Sequence, residues 1–508
     1  MPENVARICA VVTEPTVEAA CAAIRQAESC ADLFELRLDY LRDFDFSVVD
    51  GLRPILENRT IPGIITCRAQ SEGGQQYVED RIRLRLLVEG ARLFADYADI
   101  EAAYYQDAAS LLSDVSRLIV SYHNFSETPG DLDRIYQRVK SFPAAVHKVV
   151  TRANRMTDSI AILKLLAGAA SQGSSLIAMA MGESGFITRV LGPVFGSFLT
   201  YGALAAGKES AAGQPSCDEL NHLYRVHQIT RQTAITGIVG RPVAHSASPA
   251  MHNRAFDELG LDFVYLPFEV DDISEFFARL VNPATREFDW NLKGLSITIP
   301  HKTSVLPFLD EVNKTAQDVG AVNTVILKSG RLYGHNTDIR GAMEPLEKLT
   351  ALNGERCCVI GAGGAARAVV CGLLERGARV SVFARNPEKA KQTMESFGVE
   401  VIPIEALGSA EVSIVINSTP VGLRGHAEAA SPVPKEALKN RKIVYDLVYN
   451  PLETKLLMEA RAAGCQTLSG LDMLIAQAAL QFELWTGKKP PTESMRKAAL
   501  TKISAESL

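Results

Sequence analysis

The chain has 508 residues, enough for about two to four domains, and its 47% hydrophobic and 22% charged residues are typical of globular proteins. A formal net charge of -6, without a basic stripe and with scattered aromatic residues, argues against nucleic-acid binding and favours small-molecule ligands. The nine cysteines form no CxxC pair, the apolar runs end before roughly 18 residues, and a strand pattern starts almost at the first residue. We therefore expect reduced thiols, a cytoplasmic location, no targeting segment and no membrane span.

Eight short apolar runs alternate with helix-like segments between Ile8 and about Ala205. The runs are ICAVVTE, LFELRLDY, GIITCRA, YADIEAAY, LIVSYHNF, AVHKVVTR, SLIAMAMG and GSFLTYGAL. Eight strand–helix units in about 220 residues predict an α/β fold, a (β/α)8 TIM barrel. In such a barrel the functional site lies at the carboxyl ends of the strands.

Polar side chains recur at every second residue near the ends of these strands, and they share the parity that points into a barrel. They are Glu35, Arg37, Asp39, Thr66, Arg68, Asp99, Glu101, His123 and Lys148. A barrel interior with only a structural role would carry branched aliphatic residues at these positions. The pattern therefore predicts a site, although Glu35 and Arg37 could instead form barrel ion pairs and His123 could be a core histidine.

Lys148 lies within an apolar run, AAVHKVVTRAN. A buried lysine either pairs with a carboxylate or loses its proton through a lowered pKa, and a neutral amine is a nucleophile. Taken alone, the segment favours a lysine that reaches solvent from the end of a strand. Together with a histidine and carboxylates, Lys148 instead indicates Schiff-base chemistry, in which an amine condenses with a carbonyl and an imidazole moves protons.

The segments FELRLD, TCRAQSEGG, VSYHNF, HKVV, GFITRVLGPVFGS and ESAAGQ resemble type I 3-dehydroquinate dehydratase over roughly residues 5–226. The resemblance implies that Lys148 forms an imine with the substrate ketone, that His123 is the general acid and base, and that Glu72 holds the imidazole. The implied substrate contacts are Glu35, Arg37, Arg68, Arg189, Ser210 and Gln214, with Arg189 assigned to the substrate carboxylate. Tyr201 departs from the phenylalanine common in the family, which we expect to alter only the shape of the cavity.

A helical segment, CDELNHLYRVHQITRQT, forms the join to a second α/β pattern. Within that pattern, a strand leads into Gly361-x-Gly363-x-x-Ala366 and then a helix, a setting that predicts a dinucleotide-binding loop. Gly364 and Ala365 complete this loop. At the end of the next strand the chain reads Ala384, Arg385 and Asn386 where an NAD enzyme would carry an acidic residue, so the predicted cofactor is NADP.

The motifs HSASPAMHN, LSITIPHKT, GAVNT, GHNTD, NSTPVGL, YDLVYNPLETKLL and GLDMLIAQAALQFELWTG are similar to those of shikimate dehydrogenase over residues 233 to about 500. The resemblance implies that Lys302 and Asp338 are the catalytic pair. The substrate contacts that it implies are Ser246, Ser248, Thr298, Asn323, Tyr449 and Gln477. The residues that it implies near the nicotinamide are Thr419, Gly470 and Met473, and no motif indicates a metal site.

The two resemblances together predict a bifunctional enzyme of the shikimate pathway, which dehydrates 3-dehydroquinate and then reduces 3-dehydroshikimate with NADPH. The expected domains are a dehydratase barrel over residues 1–228 and a two-lobed dehydrogenase over 233–508. Within the dehydrogenase, residues 233–340 and 471–508 would bind substrate, and a Rossmann-type domain over 341–470 would bind NADP. Two alternatives remain, a second half that acts on quinate with NAD and a barrel that is only a scaffold. The oligomeric state is not predicted.

Overall fold

The protein is described here by a computed structural model that covers residues 6–42, 47–94, 96–108, 111, 117–425 and 427–505. The chain divides into two units. The first comprises Met1–Thr233 and Leu266–Asn291, and the second comprises Ala234–Tyr265 and Leu292–Leu508. No helix in the described part of the chain is long and apolar enough to cross a bilayer.

A sheet of eight parallel strands forms the centre of the first unit. Its strands are β1 Ile8–Val12, β2 Leu33–Arg37, β3 Gly63–Thr66, β4 Tyr97–Glu101, β5 Leu118–His123, β6 Val146–Arg152, β7 Leu176–Met181 and β8 Thr200–Ala203. They pair in the order β7-β6-β5-β4-β3-β2-β1-β8, and a bridge from Leu176 to Ser197 brings β7 to the segment that precedes β8. The sheet is therefore a nearly closed barrel, and the predicted fold class is confirmed.

Helices connect the strands in the way that the apolar spacing predicts. They are α1 Val17–Ala27, α2 Ser47–Glu57, α3 Asp80–Phe94, α4 Tyr105–Ala108, α5 Leu132–Lys140, α6 Ser159–Ser171 and α7 Phe186–Leu191. Helix α1 shows why these segments fold locally, because the Thr16 side chain accepts a hydrogen bond from the Ala19 amide at 3.2 Å and caps the first turn. Ala20, Ile24 and Ala27 then form the buried face of α1.

The segment 266–291 belongs to the first unit and contacts the barrel through both charged and aromatic side chains. Lys164 on α6 donates a hydrogen bond to Glu287 at 2.6 Å. The rings of Phe195 and Phe288 meet edge to face, with 5.5 Å between their centroids.

Two further six-stranded sheets follow. The elements of the first of these are β9 Ala234–Gly240, α8 Ser248–Glu258, β10 Phe263–Glu269, α9 Ile273–Phe276, β11 Leu292–Ile297, β12 Glu311–Val312, α10 Lys314–Val319, β13 Thr324–Lys328, β14 Arg331–His335 and α11 Asp338–Glu347. Its strand order is β10-β9-β11-β13-β14-β12, and β13 runs antiparallel to both of its neighbours.

The other sheet is parallel throughout and has the order β17-β16-β15-β18-β19-β20. Its elements and the last helices are β15 Arg356–Ile360, α12 Gly364–Glu375, β16 Arg379–Ala384, α13 Pro387–Met394, β17 Glu400–Pro403, β18 Ile414–Asn417, β19 Ile443–Asp446, α14 Lys455–Ala462, β20 Gln466–Ser469, α15 Gly470–Thr486 and α16 Thr492–Ala505. The strand order reverses between β15 and β18, which is where doubly wound sheets bind nucleotides. Residues of α15 and α16 join a core cluster with residues of α8, among them Met251, Phe482 and Met495.

The join between the two patterns differs from the helix that the sequence predicts. It contains one short helical turn at Glu219–Leu223 and another at Val226–Gln228. Arg225, between them, has a φ of 52°, a left-handed conformation that an α-helix cannot continue through.

Candidate active sites

Lys148 on β6 is buried, with 4% of its surface exposed. Its Nζ donates hydrogen bonds to Asp99 Oδ2 at 2.9 Å and to Tyr201 Oη at 3.0 Å, and it lies 3.7 Å from Glu35 Oε1. The prediction from the segment alone, that Lys148 reaches solvent from the end of a strand, is therefore wrong. The amine is instead held inside the barrel by carboxylates, the other outcome expected for a buried cation.

Asp99 joins Lys148 to a second buried cation. Arg68 Nη2 lies 2.9 Å from Asp99 Oδ2, and Arg68 Nη1 donates a hydrogen bond to Ser121 Oγ at 2.7 Å. Burial alone would raise the pKa of Asp99, but the charges of Arg68 and Lys148 hold that pKa well below its usual range. Asp99 therefore stays ionised and is a poor acceptor for a proton from Lys148.

His123 and Glu72 form a hydrogen-bonded pair next to this cluster. His123 ends β5, and its Nδ1 lies 3.0 Å from Glu72 Oε2, which also accepts a hydrogen bond from the His123 amide at 3.1 Å. Burial, followed by the charges of Arg68 and Lys148, lowers the pKa of His123 well below its usual value. Burial raises the pKa of Glu72 to about 7. The imidazole is therefore neutral near pH 7 and free to accept a proton.

Arg189 on α7 is 2% exposed. Its Nη1 lies 3.5 Å from the sulfur of Met179, a member of the core cluster that the barrel strands form, and its Nε has no partner among the described residues. Burial lowers the pKa of Arg189 to about 10. A buried guanidinium with so few partners is suited to binding an anion.

The other expected substrate contacts of the barrel have partners inside the protein. Gln214 Oε1 accepts hydrogen bonds from the Ser210 amide at 2.8 Å and the Ser210 hydroxyl at 3.0 Å. The buried Nε2 of Gln214 has no partner among the described residues, so the amide has a donor left for a ligand. Arg37 forms a two-pronged ion pair with Asp39, with bonds of 2.7 and 2.8 Å.

Two residues that touch Lys148 were assigned no catalytic or binding role from the sequence: Asp99, which was counted among the inward-facing polar side chains, and Tyr201. Asp99 had a usable signal, because it has the inward parity of β4 near the end of that strand. Tyr201 had only a weak signal, its difference from the family residue, because an aromatic residue in a strand is usually part of the core.

In the second unit, Lys302 Nζ donates a hydrogen bond to Asp338 Oδ2 at 2.5 Å. Asn323 Nδ2 donates to the other carboxylate oxygen at 2.8 Å, and Asn323 Oδ1 accepts from the Thr337 amide at 2.8 Å. Asp338 is the first residue of α11, where the helix dipole favours a negative charge. Each oxygen of the carboxylate thus accepts one hydrogen bond, and the bond from Asn323 orients the carboxylate that holds the lysine in place.

This pair lines a cavity of about 190 Å³. Every substrate-binding and nicotinamide-site residue predicted for the second half, except Thr419, also lines it: Ser246, Ser248, Thr298, Asn323, Tyr449, Gly470, Met473 and Gln477. The cavity also includes Ser296 and Gln481, which the sequence analysis missed and which are joined by a 2.8 Å hydrogen bond. Ser296 has the same strand parity as Thr298, and Gln481 lies one helical turn after Gln477, so both had a usable signal.

A second cavity, of about 860 Å³, contacts the first, because Thr298, Lys302 and Ala365 line both. The predicted cofactor residues that line it are Gly361, Gly363, Gly364, Ala365, Ala384, Arg385, Asn386 and Thr419. Several of them lie at the carboxyl ends of β15 and β16, beside the point where the strand order reverses.

The glycine loop has a shape that only small residues allow. Gly361 has a φ of 104°, and a Cβ there would lie 2.9 Å from Thr419 Cγ2. A Cβ on Gly363 would meet no atom within 4 Å, so this face of the loop opens to the space where α12 begins. An exposed helix start beside a glycine loop fits the pyrophosphate of a dinucleotide.

The turn between β16 and α13 carries Arg385 and Asn386, which lie where the sequence predicts the 2′-phosphate to bind. Arg385 and Lys389 are both exposed, and both line the larger cavity. Asn386 Oδ1 accepts a hydrogen bond from the Lys389 amide at 3.1 Å and thereby caps α13. No group of three potential metal ligands occurs in the described ranges of the chain.

The fold and the two sites thus define an enzyme with two activities, a barrel lyase followed by a nicotinamide-dependent dehydrogenase. Family models match the chain in the same order. They are those for type I 3-dehydroquinase at residues 8–231, the shikimate dehydrogenase substrate binding domain at 238–325, shikimate / quinate 5-dehydrogenase at 344–438, and the shikimate 5'-dehydrogenase C-terminal domain at 470–500.

The chain is similar over almost its full length to the bifunctional 3-dehydroquinate dehydratase/shikimate dehydrogenase of Arabidopsis thaliana, with 33% identity over 97% of this chain and 84% of the relative. It is 43% identical to the shikimate dehydrogenase (NADP(+)) of Thermococcus kodakarensis over 54% of this chain and 98% of that protein. A crystal structure of a shikimate dehydrogenase in complex with NADP+ matches 54% of this chain and 97% of its own at 35% identity, with a TM-score of 0.50. The chain belongs to the family of bifunctional 3-dehydroquinate dehydratase/shikimate dehydrogenases.

Proposed function

We propose that the chain dehydrates 3-dehydroquinate to 3-dehydroshikimate through an imine at Lys148 and then reduces 3-dehydroshikimate to shikimate with NADPH. The observation that carries this proposal is the buried amine of Lys148, which lies among ionised side chains and next to the hydrogen-bonded His123–Glu72 pair. That arrangement disfavours a barrel that is only a scaffold. Two observations disfavour a quinate enzyme that uses NAD. The relatives are named as shikimate dehydrogenases (NADP(+)), and Arg385 lines the larger cavity where an NAD enzyme would carry an acidic residue.

In the barrel, Lys148 attacks the ketone, and the protonated imine that results acidifies the adjacent carbon. His123 removes the proton from that carbon and later returns a proton to the departing hydroxyl, so water leaves. A water molecule then hydrolyses the product imine, which restores the ketone and frees the Lys148 amine. Glu72 holds the imidazole through the 3.0 Å hydrogen bond to Nδ1 and leaves the other ring nitrogen for the substrate.

Arg189 pairs with the substrate carboxylate, a role supported by its buried guanidinium with few partners. The residues proposed to contact the substrate hydroxyls are Glu35, Arg37, Arg68, Ser210 and Gln214. Of these, Gln214 has the clearest support, because its buried Nε2 needs an acceptor.

In the dehydrogenase, Lys302 supplies a proton to the ketone oxygen as the alkoxide develops, and Asp338 orients the lysine through the 2.5 Å hydrogen bond to its Nζ. The nicotinamide of NADPH supplies the hydride. The proposed substrate contacts are Ser246, Ser248, Thr298, Asn323, Tyr449 and Gln477, and all of them line the smaller cavity with Lys302.

NADP fits the larger cavity because the glycine loop offers backbone amides to the pyrophosphate. The residues proposed to hold the cofactor are Gly361, Gly363, Gly364, Ala365, Ala384, Arg385, Asn386, Thr419, Gly470 and Met473. Arg385 is assigned to the 2′-phosphate, the group that separates NADP from NAD.

The domain boundaries proposed from the sequence are 1–228 and 233–508, the latter with its nucleotide-binding part at 341–470. We also propose a cytoplasmic location, which is supported by the nine cysteines being free thiols. Cell fractionation of a tagged chain tests the location, and recovery of the tag in a membrane or organelle fraction would contradict it.

Borohydride trapping tests the barrel chemistry most directly. In the presence of 3-dehydroquinate, borohydride should reduce the imine and leave one stable adduct, which peptide mass mapping should place at Lys148. The Lys148→Ala variant is the matched control and should give no adduct while it still oxidises shikimate. An intact wild-type chain that turns over without forming an adduct would exclude the imine mechanism.

A further inference from the structure

Tyr201 on β8 places its hydroxyl against the amine that is proposed to react. Its Oη accepts the 3.0 Å hydrogen bond from Lys148 Nζ, and Nζ lies 4.5 Å from the centre of its ring. The residue is 5% exposed. An effect on cavity shape alone, which is what the sequence led us to expect, leaves this contact between two functional groups unexplained.

The environment keeps the Tyr201 hydroxyl protonated. Burial and then the negative charge of Glu35 raise the pKa of Tyr201 well above its ordinary value. In the described part of the chain, its only hydrogen bond is the one from Lys148. The oxygen thus accepts from the amine while its own proton remains available to a ligand.

The position of that proton matters because of where the substrate must bind. When Lys148 Nζ attacks a ketone, the ketone oxygen is two bonds away from Nζ. A hydroxyl that already hydrogen-bonds Nζ is therefore within reach of that oxygen. Asp99, the other hydrogen-bond partner of Nζ, is an ionised carboxylate and has no proton to give.

We infer that Tyr201 is a catalytic residue of the dehydratase and relays a proton from Lys148 Nζ to the ketone oxygen as the imine forms. This inference rests on the proposed role of Lys148 as the imine-forming residue. It adds a group to the reaction that the family resemblance does not supply, because phenylalanine is common at this position.

The protons and electron pairs balance as follows. His123 first takes one proton from the Lys148 ammonium. The neutral amine then forms the N–C bond while the π pair of the carbonyl moves to oxygen. Tyr201 Oη accepts the surplus proton from nitrogen as its own proton passes to that oxygen, which gives a neutral carbinolamine and an unchanged phenol. The proton held by His123 then leaves with the carbinolamine oxygen as water, and the nitrogen lone pair forms the C=N bond.

A relay of this kind suits a buried phenol. Because both protons move together, no phenolate forms in a site where burial makes that charge costly. The raised pKa therefore favours relay and opposes a simple acid or base role for Tyr201.

The Tyr201→Phe variant tests the relay, because it keeps the ring over Nζ and removes only the hydroxyl. The variant is mixed rapidly with 3-dehydroquinate and quenched with borohydride. We expect the adduct at Lys148 to appear about tenfold more slowly than in wild type, a smaller loss than removal of a positioned proton donor usually causes. The final amount of adduct should be unchanged. An unchanged rate would overturn the relay.

A second readout separates the relay from a structural effect. With substrate deuterated at the carbon that loses its proton, the isotope effect on kcat/KM should fall toward 1 in Tyr201→Phe, because imine formation becomes limiting. A slower variant with an unchanged isotope effect would assign Tyr201 to packing alone. Tyr136→Phe is the matched control, since Tyr136 on α5 is buried with a hydroxyl that has no partner among the described residues.

The wild-type chain gives a test that needs no variant. In mixtures of light and heavy water, the rate of adduct formation should depend on the deuterium fraction with the curvature expected for two protons moving together, whereas a linear dependence would contradict the relay. If wild-type protein forms no adduct at all, the proposed function fails. If the adduct forms equally fast in wild type and Tyr201→Phe, only the relay fails.

Discussion

The buried charge of Arg189 is expected to lower the stability of the ligand-free protein and to favour binding of the substrate. Its guanidinium is buried beside Met179, and no carboxylate is hydrogen-bonded to it in the described residues. A charge removed from water in this way costs free energy in the ligand-free protein. The carboxylate of the substrate would restore a partner, so the cost is recovered on binding.

We expect Arg189→Met to raise the KM for 3-dehydroquinate about 10- to 100-fold, because a charge-assisted contact is lost. The same change should raise the free energy of unfolding of the ligand-free chain by about 1 kcal/mol or more, because an unpaired buried charge is removed. Steady-state kinetics and denaturant unfolding measure the two effects. Arg83→Met is the control, since Arg83 is equally buried but lies 3.0 Å from Glu101, and its loss should destabilise the fold. A destabilised Arg189→Met would contradict this interpretation.

Glu72 should determine how the rate of dehydration falls on the acid side of its pH profile. Its pKa is raised by burial to about 7, so a falling pH protonates it and weakens its hold on the His123 ring. In wild type we expect kcat/KM to fall with decreasing pH below about 7. In Glu72→Gln this fall should disappear and the plateau should be lower. Rates between pH 5 and pH 9 measure both, and an acid limb near pH 7 that persists in the variant would assign it to another group.

The same shift has a consequence for stability. Because the folded chain binds the Glu72 proton more tightly than the unfolded chain, this group stabilises the fold below its unfolded pKa of 4.5, and the contribution is lost as pH rises through about 7. The Glu72→Gln variant should therefore lose less stability than wild type between pH 5 and pH 8. Denaturant unfolding at the two pH values measures the difference.

At the scale of elements, the turn from β16 into α13 is expected to decide which nicotinamide cofactor binds. Arg385→Ala should raise the KM for NADPH about tenfold or more, and the rate with NADH should change little, since NADH lacks the 2′-phosphate. Lys391→Ala is the control, because Lys391 lies on the same helix but pairs with Glu388 at 2.9 Å. Steady-state reduction of 3-dehydroshikimate with NADPH and with NADH measures the result, and equal losses with both would assign Arg385 a structural role.

The elements themselves were largely predictable, and the contacts between them were less so. Period-two and helical spacing located the eight barrel strands, and the inward parity of Lys148 on β6 followed from its neighbours. The bond from Lys148 to Tyr201 joins residues 53 positions apart, and no local pattern encodes it. The join was wrongly predicted as one helix, because helical spacing carries no information on the left-handed backbone of Arg225.

At the scale of the whole molecule, the two sites draw on different parts of the chain, Lys148 from the barrel unit and Lys302 from the other. We expect Lys148→Ala to abolish dehydration and to leave shikimate oxidation within about twofold of wild type, because the site residues that the structure describes for each activity belong to one unit only. Lys302→Ala should do the reverse. Each variant is the control for the other in paired assays of both activities, and a parallel loss of both in either variant would show that the sites depend on each other.

The path of the chain bears on any attempt to dissect this protein. Residues 266–291 return to the barrel unit after the chain has already left it at Thr233, so a fragment that stops there lacks Glu287 and Phe288. Such a truncation would remove the ring that packs against Phe195 and leave Lys164 without its acceptor, so we expect the fragment to be less stable than the full chain. If a fragment that ends at Thr233 gives no active dehydratase, the cause could therefore be the missing segment 266–291. Such a result would not show that the barrel lacks the catalytic residues.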